Sequence, residues 1–378
     1  LYPTEELYEK ASIESGDPLP IPEILNELKS KAKSENLWNL FLPDKEYGYG
    51  LSNVDYAPLA EITGHNWWAP EVFNCSAPDT GNMEILAEFG TAEQKKQWLE
   101  PLLEGEIRSC FAMTEPNVAS SDATNIGSSI VSDGDNYVIN GRKWWTSNAI
   151  NPNAKICIFM GVTNPDSPPY QRQSQVLVPM DSEGLSIIRP MQVFGYDDGY
   201  TGHPELLFEN VVVPKSNIIG GEGMGFKIAQ ARLGPGRIHH CMRAIGMAER
   251  ALSLMIDRSL ERETFGQKLA EQGVIQDWIA RSRIKIEEAR LLTLKTAWLI
   301  DTVGKEEAKI EISSIKVSVV EAASYVIDKA IQTFGAMGLS QDTPLARMSA
   351  GARVLRIADG PDEVHLRSIA RREINKHR

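Results

Sequence analysis

Five short runs combine side chains that could do chemistry. Ala358-Asp359-Gly360-Pro361-Asp362-Glu363 sets three carboxylates around a Gly-Pro turn. A carboxylate beside glycine can reach into a cleft and take up a proton, although Asp-Gly-Pro is equally a plain turn signal. Met113-Thr114-Glu115-Pro116, followed by Ser120-Ser121-Asp122, gathers hydroxyls and backbone donors in a loop. Such loops hydrogen-bond a polar ring edge or a phosphate, and an ordinary capped loop has the same composition. Trp144-Trp145-Thr146-Ser147-Asn148 follows an expected turn at Asn140-Gly141. On a strand, adjacent tryptophans face opposite sides. One can pack on a flat cofactor while the other joins the core, though plain core explains both. Arg262-Glu263-Thr264-Phe265-Gly266-Gln267 breaks two helices, and an arginine at a helix end contacts an anion or stays solvated. Gln332 to Gly338 is rich in small residues that let the backbone approach a ligand or another helix closely. There is no P-loop, no GxGxxG after a strand, no GxSxG and no HExxH, so no single run is diagnostic.

The elements that must position these runs fall into three zones, at residues 1–107, 108–220 and 221–378. The first is helical. Pro22 to Phe41 carries Ile24, Leu25, Leu28 and Ala32 at helical spacing. Thr91 and Gln94 form a capping box before a helix bearing Trp98, Leu99, Leu102 and Leu103, and Gly105 stops it. The second zone changes period. Ser129–Val131, a turn at Asp133-Gly134-Asp135, and Tyr137–Ile139 read as a hairpin. Ile156–Val162, Gln175–Val178, Leu185–Ile188 and Leu206–Val213 add further strands, which makes a β-barrel or a sandwich. The third zone returns to long amphipathic helices. Ile275, Ile279, Ile286, Ala289 and Leu292 mark one, and Ile312, Ile315, Val319, Ala322 and Val326 another, as in a helix bundle.

The chain has 378 residues and a formal net charge of −12, which disfavours general affinity for nucleic acid. No apolar run is long enough to span a bilayer. Cys75, Cys110, Cys157 and Cys241 are scattered, as expected for buried thiols of an intracellular protein, not for a disulfide framework or a metal site. The six histidines form no ligand pattern; His239 and His240, adjacent on a helix, point different ways. The chain opens at Leu1 without a start methionine, which leaves room for a targeting segment or an upstream domain. A mitochondrial, peroxisomal or bacterial cytoplasmic setting would each fit.

Taken together and in order, these runs resemble the acyl-CoA dehydrogenase family. Phe111 to Pro116 is similar to the signature at which that family enters its β-domain, and Asn140 to Asn148 to its Asn-Gly, Lys, Trp, Thr/Ser-Asn segment. Arg262 to Gln267 matches its Arg-x-Thr-Phe-Gly motif, Gln332 to Gly338 resembles its glutamine and glycine-rich motif, and Phe89 to Lys95 resembles a helical hallmark. Ser109 to Pro116 and Ala358 to His365 look closest to the subgroup called acyl-CoA dehydrogenase family members 10 and 11.

The resemblance implies an α+β multidomain fold: an N-terminal helical domain, a central β-barrel domain and a C-terminal four-helix bundle. It implies non-covalent FAD between the barrel and the bundle, and a homodimer or dimer of dimers. Thr114, with the backbone at Met113, should meet the pyrimidine side of the flavin, and Trp145 and Ser147 its N5 face. Ser121, with Ser120 as rival, falls near the pyrophosphate-binding serine. Arg262 and Phe265 should reach the FAD of a neighbouring subunit, and Gln332 and Gly335 the adenosine half. Most members place a glutamate just before the glycine of the C-terminal turn; here it is Asp359 before Gly360. Other members carry it just before an arginine early in the first bundle helix. That arginine matches Arg237, and the residue before it is Gly236, which cannot be a base.

The expected reaction is α,β-dehydrogenation of an acyl-CoA to a trans-2-enoyl-CoA. Asp359 takes the α-proton and a β-hydride passes to flavin N5. The thioester carbonyl is held by the backbone N–H beside Asp359, at Gly360, and by the FAD ribityl chain. An apolar site should raise the Asp359 pKa, with Arg237 moderating the rise and contributing to the substrate site. Asp362 and Glu363 should serve structure or the substrate entrance. The expected acceptor is an electron-transfer flavoprotein. Rival readings are an acyl-CoA oxidase, an enzyme for hydroxylated or phosphorylated acyl-CoA, and a flavin-bearing DNA-associated or scaffold homologue.

Overall fold

The computed structural model describes residues 4, 5, 7, 8 and 21–378. It divides into two compact units, Leu1–Gly50 with Glu71–Leu233, and Leu51–Pro70 with Gly234–Arg378. The main helices are α1 (Glu23–Ser34), α2 (Asn53–Thr63), α3 (Asp79–Phe89), α4 (Gly225–Glu261), α5 (Gly273–Val303), α6 (Lys309–Phe334), α7 (Leu345–Leu355) and α8 (Asp362–Asn375). The strands are β1 (Arg108–Ala112), β2 (Ser129–Asp133), β3 (Asn136–Lys143), β4 (Ala154–Val162), β5 (Gln173–Pro179), β6 (Leu185–Met191) and β7 (His203–Pro214), with a small hairpin of β8 (Glu263–Thr264) and β9 (Gln267–Lys268).

In the first unit, α1 buries Leu25 and Ala32. It ends at Ser34, short of the expected Phe41, and Asn36 and Asn39 beyond it take left-handed backbone at φ 58° and 56°. The Thr91/Gln94 capping box forms as expected and starts a helical run to Glu104, closed by Gly105 at φ 70°. The Gln94 amide also donates to Ser216 and Ile218 carbonyls, so the cap anchors the chain leaving β7.

The strands form one seven-stranded sheet in the order β1-β4-β2-β3-β7-β6, with β5 on the free side of β4. β1 and β4 run parallel and β4 and β5 antiparallel. β4 is buried along most of its length, which its unbroken apolar run anticipates. Ile130, Ile139, Phe159, Val176, Leu206 and Phe208 fill the inside, with Phe159 and Phe208 at a ring separation of 4.6 Å. The Asp133-Gly134-Asp135 turn joins β2 to β3, with Gly134 at φ 54°. The turn expected at Asn140-Gly141 is instead a bulge inside β3, where the register with β7 shifts. A Cβ on Gly141 would lie 2.0 Å from Ser128 Oγ, so only glycine lets β2 approach there.

In the second unit, α6 is the central helix. Its expected stripe, Ile312, Ile315, Val319, Ala322 and Val326, is buried, and α5, α7 and α8 pack on it. The α2 helix belongs to this unit. Asp301 of α5 accepts from the Asn53 and Val54 backbone N–H groups at its start, both at 3.0 Å. A Cβ on Gly64 would meet the Arg243 carbonyl at 2.1 Å, and one on Gly246 the Glu61 carbonyl at 1.8 Å. These glycines set a close crossing of α2 over α4. Among the described residues no helix is long and apolar enough to cross a membrane.

Candidate active site

In the first unit the Met113-Thr114 loop and the Trp144–Asn148 turn are clasped together. The Trp144 N–H donates to the Thr114 carbonyl at 3.1 Å, and Thr114 Oγ1 donates to the Trp144 carbonyl at 2.7 Å. Lys143, fully buried at the end of β3, donates from Nζ to the Met113 carbonyl at 2.9 Å, the Met160 carbonyl at 2.7 Å and Glu115 Oε1 at 2.7 Å. Burial pulls the Lys143 pKa down to about 8. Burial pushes Glu115 up, but Lys143 and the Gly127 and Ser128 N–H groups outweigh it, so its pKa lies below the usual carboxylate value. An ion pair buried this way fixes the loop it holds.

The tryptophans are not strand residues facing opposite sides. β3 ends at Lys143, and Trp145 turns into left-handed backbone at φ 53°. Its indole is left 39% exposed. The turn continues with Thr146 N–H to the Pro204 carbonyl and Asn148 N–H to the Gly202 carbonyl, while Asn148 Nδ2 donates to the Ser109 carbonyl. Ser147 is thereby held beside Trp145, and its Oγ lies 2.8 Å from His203 Nδ1. Ser120 Oγ is engaged inside its own loop, accepting from the Glu115 N–H at 2.9 Å, whereas Ser121 is exposed.

In the second unit, Asp359 occupies a left-handed turn at φ 56° between α7 and α8, its side chain 18% exposed. Gly360 follows at φ 104°, and a Cβ there would lie 2.9 Å from His365 Nε2. Arg237 Nε donates to the Asp359 backbone carbonyl at 3.0 Å, and His365 Nε2 lies 3.3 Å from the same oxygen. Arg237 is therefore a clamp on the turn's backbone. His240 lies at the carboxylate itself, with Nε2 3.4 Å from Asp359 Oδ2. The surroundings are not the apolar ones expected, because Arg237, His240 and Lys316 converge on the turn. Burial, together with Arg237 and Lys316, pulls His365 down to about 4. Asp362 starts α8 and is paired with Arg356 at 2.6 Å, while Glu363 is exposed. Arg262 lies between the end of α4 and the β8–β9 hairpin, and Phe265 at the hairpin's tip is 99% exposed. Gln332 and Gly335 lie exposed at the end of α6, with Gly335 at φ 66°.

His240, His365, Lys316 and His203 had no sequence signal as site residues. His240 sits one helical turn after Gly236, a spacing that becomes meaningful only once Asp359 is known to lie opposite.

Family models for the N-terminal, middle and C-terminal domains of acyl-CoA dehydrogenase match residues 17–106, 110–211 and 223–374. The chain belongs to the acyl-CoA dehydrogenase family. It is 57% identical over 381 residues to acyl-CoA dehydrogenase family member 10 of Mus musculus, covering 99% of this chain and 35% of that protein. It is 58% identical over 355 residues to family member 11 of Homo sapiens, covering 93% of this chain and 45% of that protein. The chain thus spans less than half the length of these two relatives. Butyryl-CoA dehydrogenase from Megasphaera elsdenii superposes with a TM-score of 0.83 at 26% identity, over 98% of this chain and 94% of that one. The fold matches the expected one, and the family is an FAD-dependent group of oxidoreductases. Within the first unit, an uncovered indole at Trp145 beside fixed hydroxyls at Thr114 and Ser147 is a surface that suits a flat, hydrogen-bonding ring of that kind.

Proposed function

We propose that this chain dehydrogenates an acyl-CoA thioester between its α and β carbons, with Asp359 as the α-proton base. The observation that carries the reading is the pairing of Asp359 with Gly236. A Cβ on Gly236 would come within 3.5 Å of Asp359 Oδ2 and meet nothing else within 4 Å. The two backbone positions able to present a base thus face one point, and one of them supplies a carboxylate. Gly236 leaves room beside Oδ2 for the substrate's α-carbon.

The α-proton of a thioester is weakly acidic, so the base must be held at contact distance and the developing enolate oxygen must meet a donor. Arg237 and His365 hold the Asp359 carbonyl and fix the turn. The Gly360 N–H is the donor proposed for the thioester oxygen. His240 keeps a donor near the carboxylate. FAD, when bound, supplies the acceptor for the β-hydride at N5. Met113 and Thr114 hold the pyrimidine edge, Trp145 and Ser147 the N5 face, and Ser121 the pyrophosphate, since Ser120 is already engaged. Arg262, Phe265, Gln332 and Gly335 serve the cofactor's outer parts, with a second copy of the chain covering Phe265. The product is a trans-2-enoyl-CoA, and an electron-transfer flavoprotein is the proposed acceptor. The same reading keeps three domains, with boundaries near 107 and 220.

The test is anaerobic mixing with a panel of acyl-CoAs while following the flavin band near ~450 nm. Bleaching by one chain class supports the reading and names the substrate class. A flavin band that no acyl-CoA bleaches sinks it.

A further inference from the structure

Ser147 begins a hydrogen-bond chain that leads away from Trp145 to solvent. Its Oγ lies 2.8 Å from His203 Nδ1, and His203 Nε2 lies 2.9 Å from Asp198 Oδ2. The three residues come from three places: the turn after β3, the first residue of β7, and the loop between β6 and β7, where Asp198 is held at φ 59°. The His203 and Asp198 side chains are 21% and 23% exposed, so the far end of the chain reaches water. The imidazole lies 6.1 Å from the Trp145 ring. Glu205, two residues along β7, is paired with Arg142 of β3 and Arg189 of β6.

The order of partners fixes the direction of the Ser147 hydroxyl. An ionised carboxylate only accepts, so His203 Nε2 carries a proton toward Asp198. In the neutral imidazole Nδ1 is then an acceptor, Ser147 donates to it, and the oxygen lone pairs of Ser147 face outward. In the imidazolium both nitrogens donate, so Ser147 accepts from His203 and turns its O–H outward. One protonation event at His203 thus converts Ser147 from an outward acceptor to an outward donor. Reduced flavin carries a hydrogen at N5, and oxidised flavin has a bare N5 that accepts; the two states of the chain match the two states of the cofactor.

We propose that His203, oriented by Asp198, is a positioning and proton-relay residue that acts through Ser147 to release the N5 proton when the reduced cofactor is reoxidised. The inference rests on Ser147 facing N5. Ser147 Oγ takes the N5 proton as it gives its own to His203 Nδ1. The N5–H bond breaks and an Nδ1–H bond forms, with the Oγ–H exchanged between them. Asp198 stabilises the imidazolium until water takes the proton. The electron pair leaves in two steps to a one-electron acceptor, such as a flavoprotein or a ferricenium salt.

The experiment uses FAD-loaded protein reduced with dithionite, so that no acyl-CoA chemistry is involved. Reoxidation by ferricenium is followed by stopped flow in H2O and D2O across about pH 5.5 to 8.5. The wild type should show a solvent isotope effect and a pH-dependent rate. His203→Gln should lose the pH dependence and slow by about a hundredfold or more, on the scale of a lost proton-transfer group. An unchanged pH profile and isotope effect in His203→Gln overturns the relay. If that variant fails to hold FAD, 15N NMR of the His203 ring in reduced wild type decides. A neutral ring protonated at Nε2 supports the inference, and one protonated at Nδ1 overturns it. Failure of the Asp359 assignment would be separate: Asp359→Asn would still turn over acyl-CoA while the dithionite-based isotope effect persisted.

Discussion

Gly236 on α4 and Asp359 in the turn before α8 face each other, so that a Cβ on the glycine would lie 3.5 Å from the aspartate's Oδ2. They are 123 positions apart in sequence, as the residue numbers give directly. The chain holds one carboxylate where two backbone positions could offer one, and it surrounds that carboxylate with His240, Arg237 and Lys316.

Moving the base across the gap tests this pairing. Asp359→Ala should be inactive, and adding Gly236→Glu should recover part of the lost turnover, because a Cβ at Gly236 already points to within 3.5 Å of Asp359 Oδ2. Steady-state dehydrogenation of the preferred acyl-CoA is the measurement. No recovery in a folded, FAD-loaded double variant would count against the shared geometry.

Gly360→Ala should destabilise the second unit by about 1–3 kcal/mol. The position needs φ 104°, and a Cβ would press on His365 Nε2. Denaturant melting of the variant against wild type measures the loss, and turnover should fall with it because the Asp359 turn shifts.

Lys143→Met should cost about 3–5 kcal/mol, since Glu115 would be left as an unmatched buried charge. It should also weaken FAD retention, because Lys143 holds the Met113 carbonyl. Thermal melting with and without added FAD separates the two effects.

His365 predicts a slope of stability with pH. Its folded pKa, about 4, lies below the ordinary 6.5. Between these values the unfolded chain binds a proton that the native protein does not. Stability therefore rises with pH across that window, by up to about 3 kcal/mol, and is lost as pH falls through it. In His365→Gln this part of the slope should be absent in urea melts taken from about pH 4 to 7.

Much of this was legible in the sequence, for identifiable reasons. The α6 stripe and the Thr91/Gln94 cap are local patterns, and both form as read. The Asn140-Gly141 pair misled, because Asn-Gly signals a turn by its freedom at positive φ, whereas here glycine is needed for contact with Ser128. The strand reading of Trp144-Trp145 failed because the clasp to Thr114 and Pro204 overrides strand propensity. His240 and His203 were invisible as site residues. Their partners Asp359 and Ser147 are 119 and 56 positions away, and no local period links them. Asp359 was singled out as the proposed base only through family resemblance, since Asp-Gly-Pro is otherwise an ordinary turn.

The most direct test of the central claim is Asp359→Asn mixed anaerobically with the acyl-CoA that bleaches the wild-type flavin. The account predicts an intact band near ~450 nm that dithionite still bleaches, with substrate-driven bleaching slowed by about a hundredfold or more. Bleaching at the wild-type rate would contradict the assignment of Asp359 as the base.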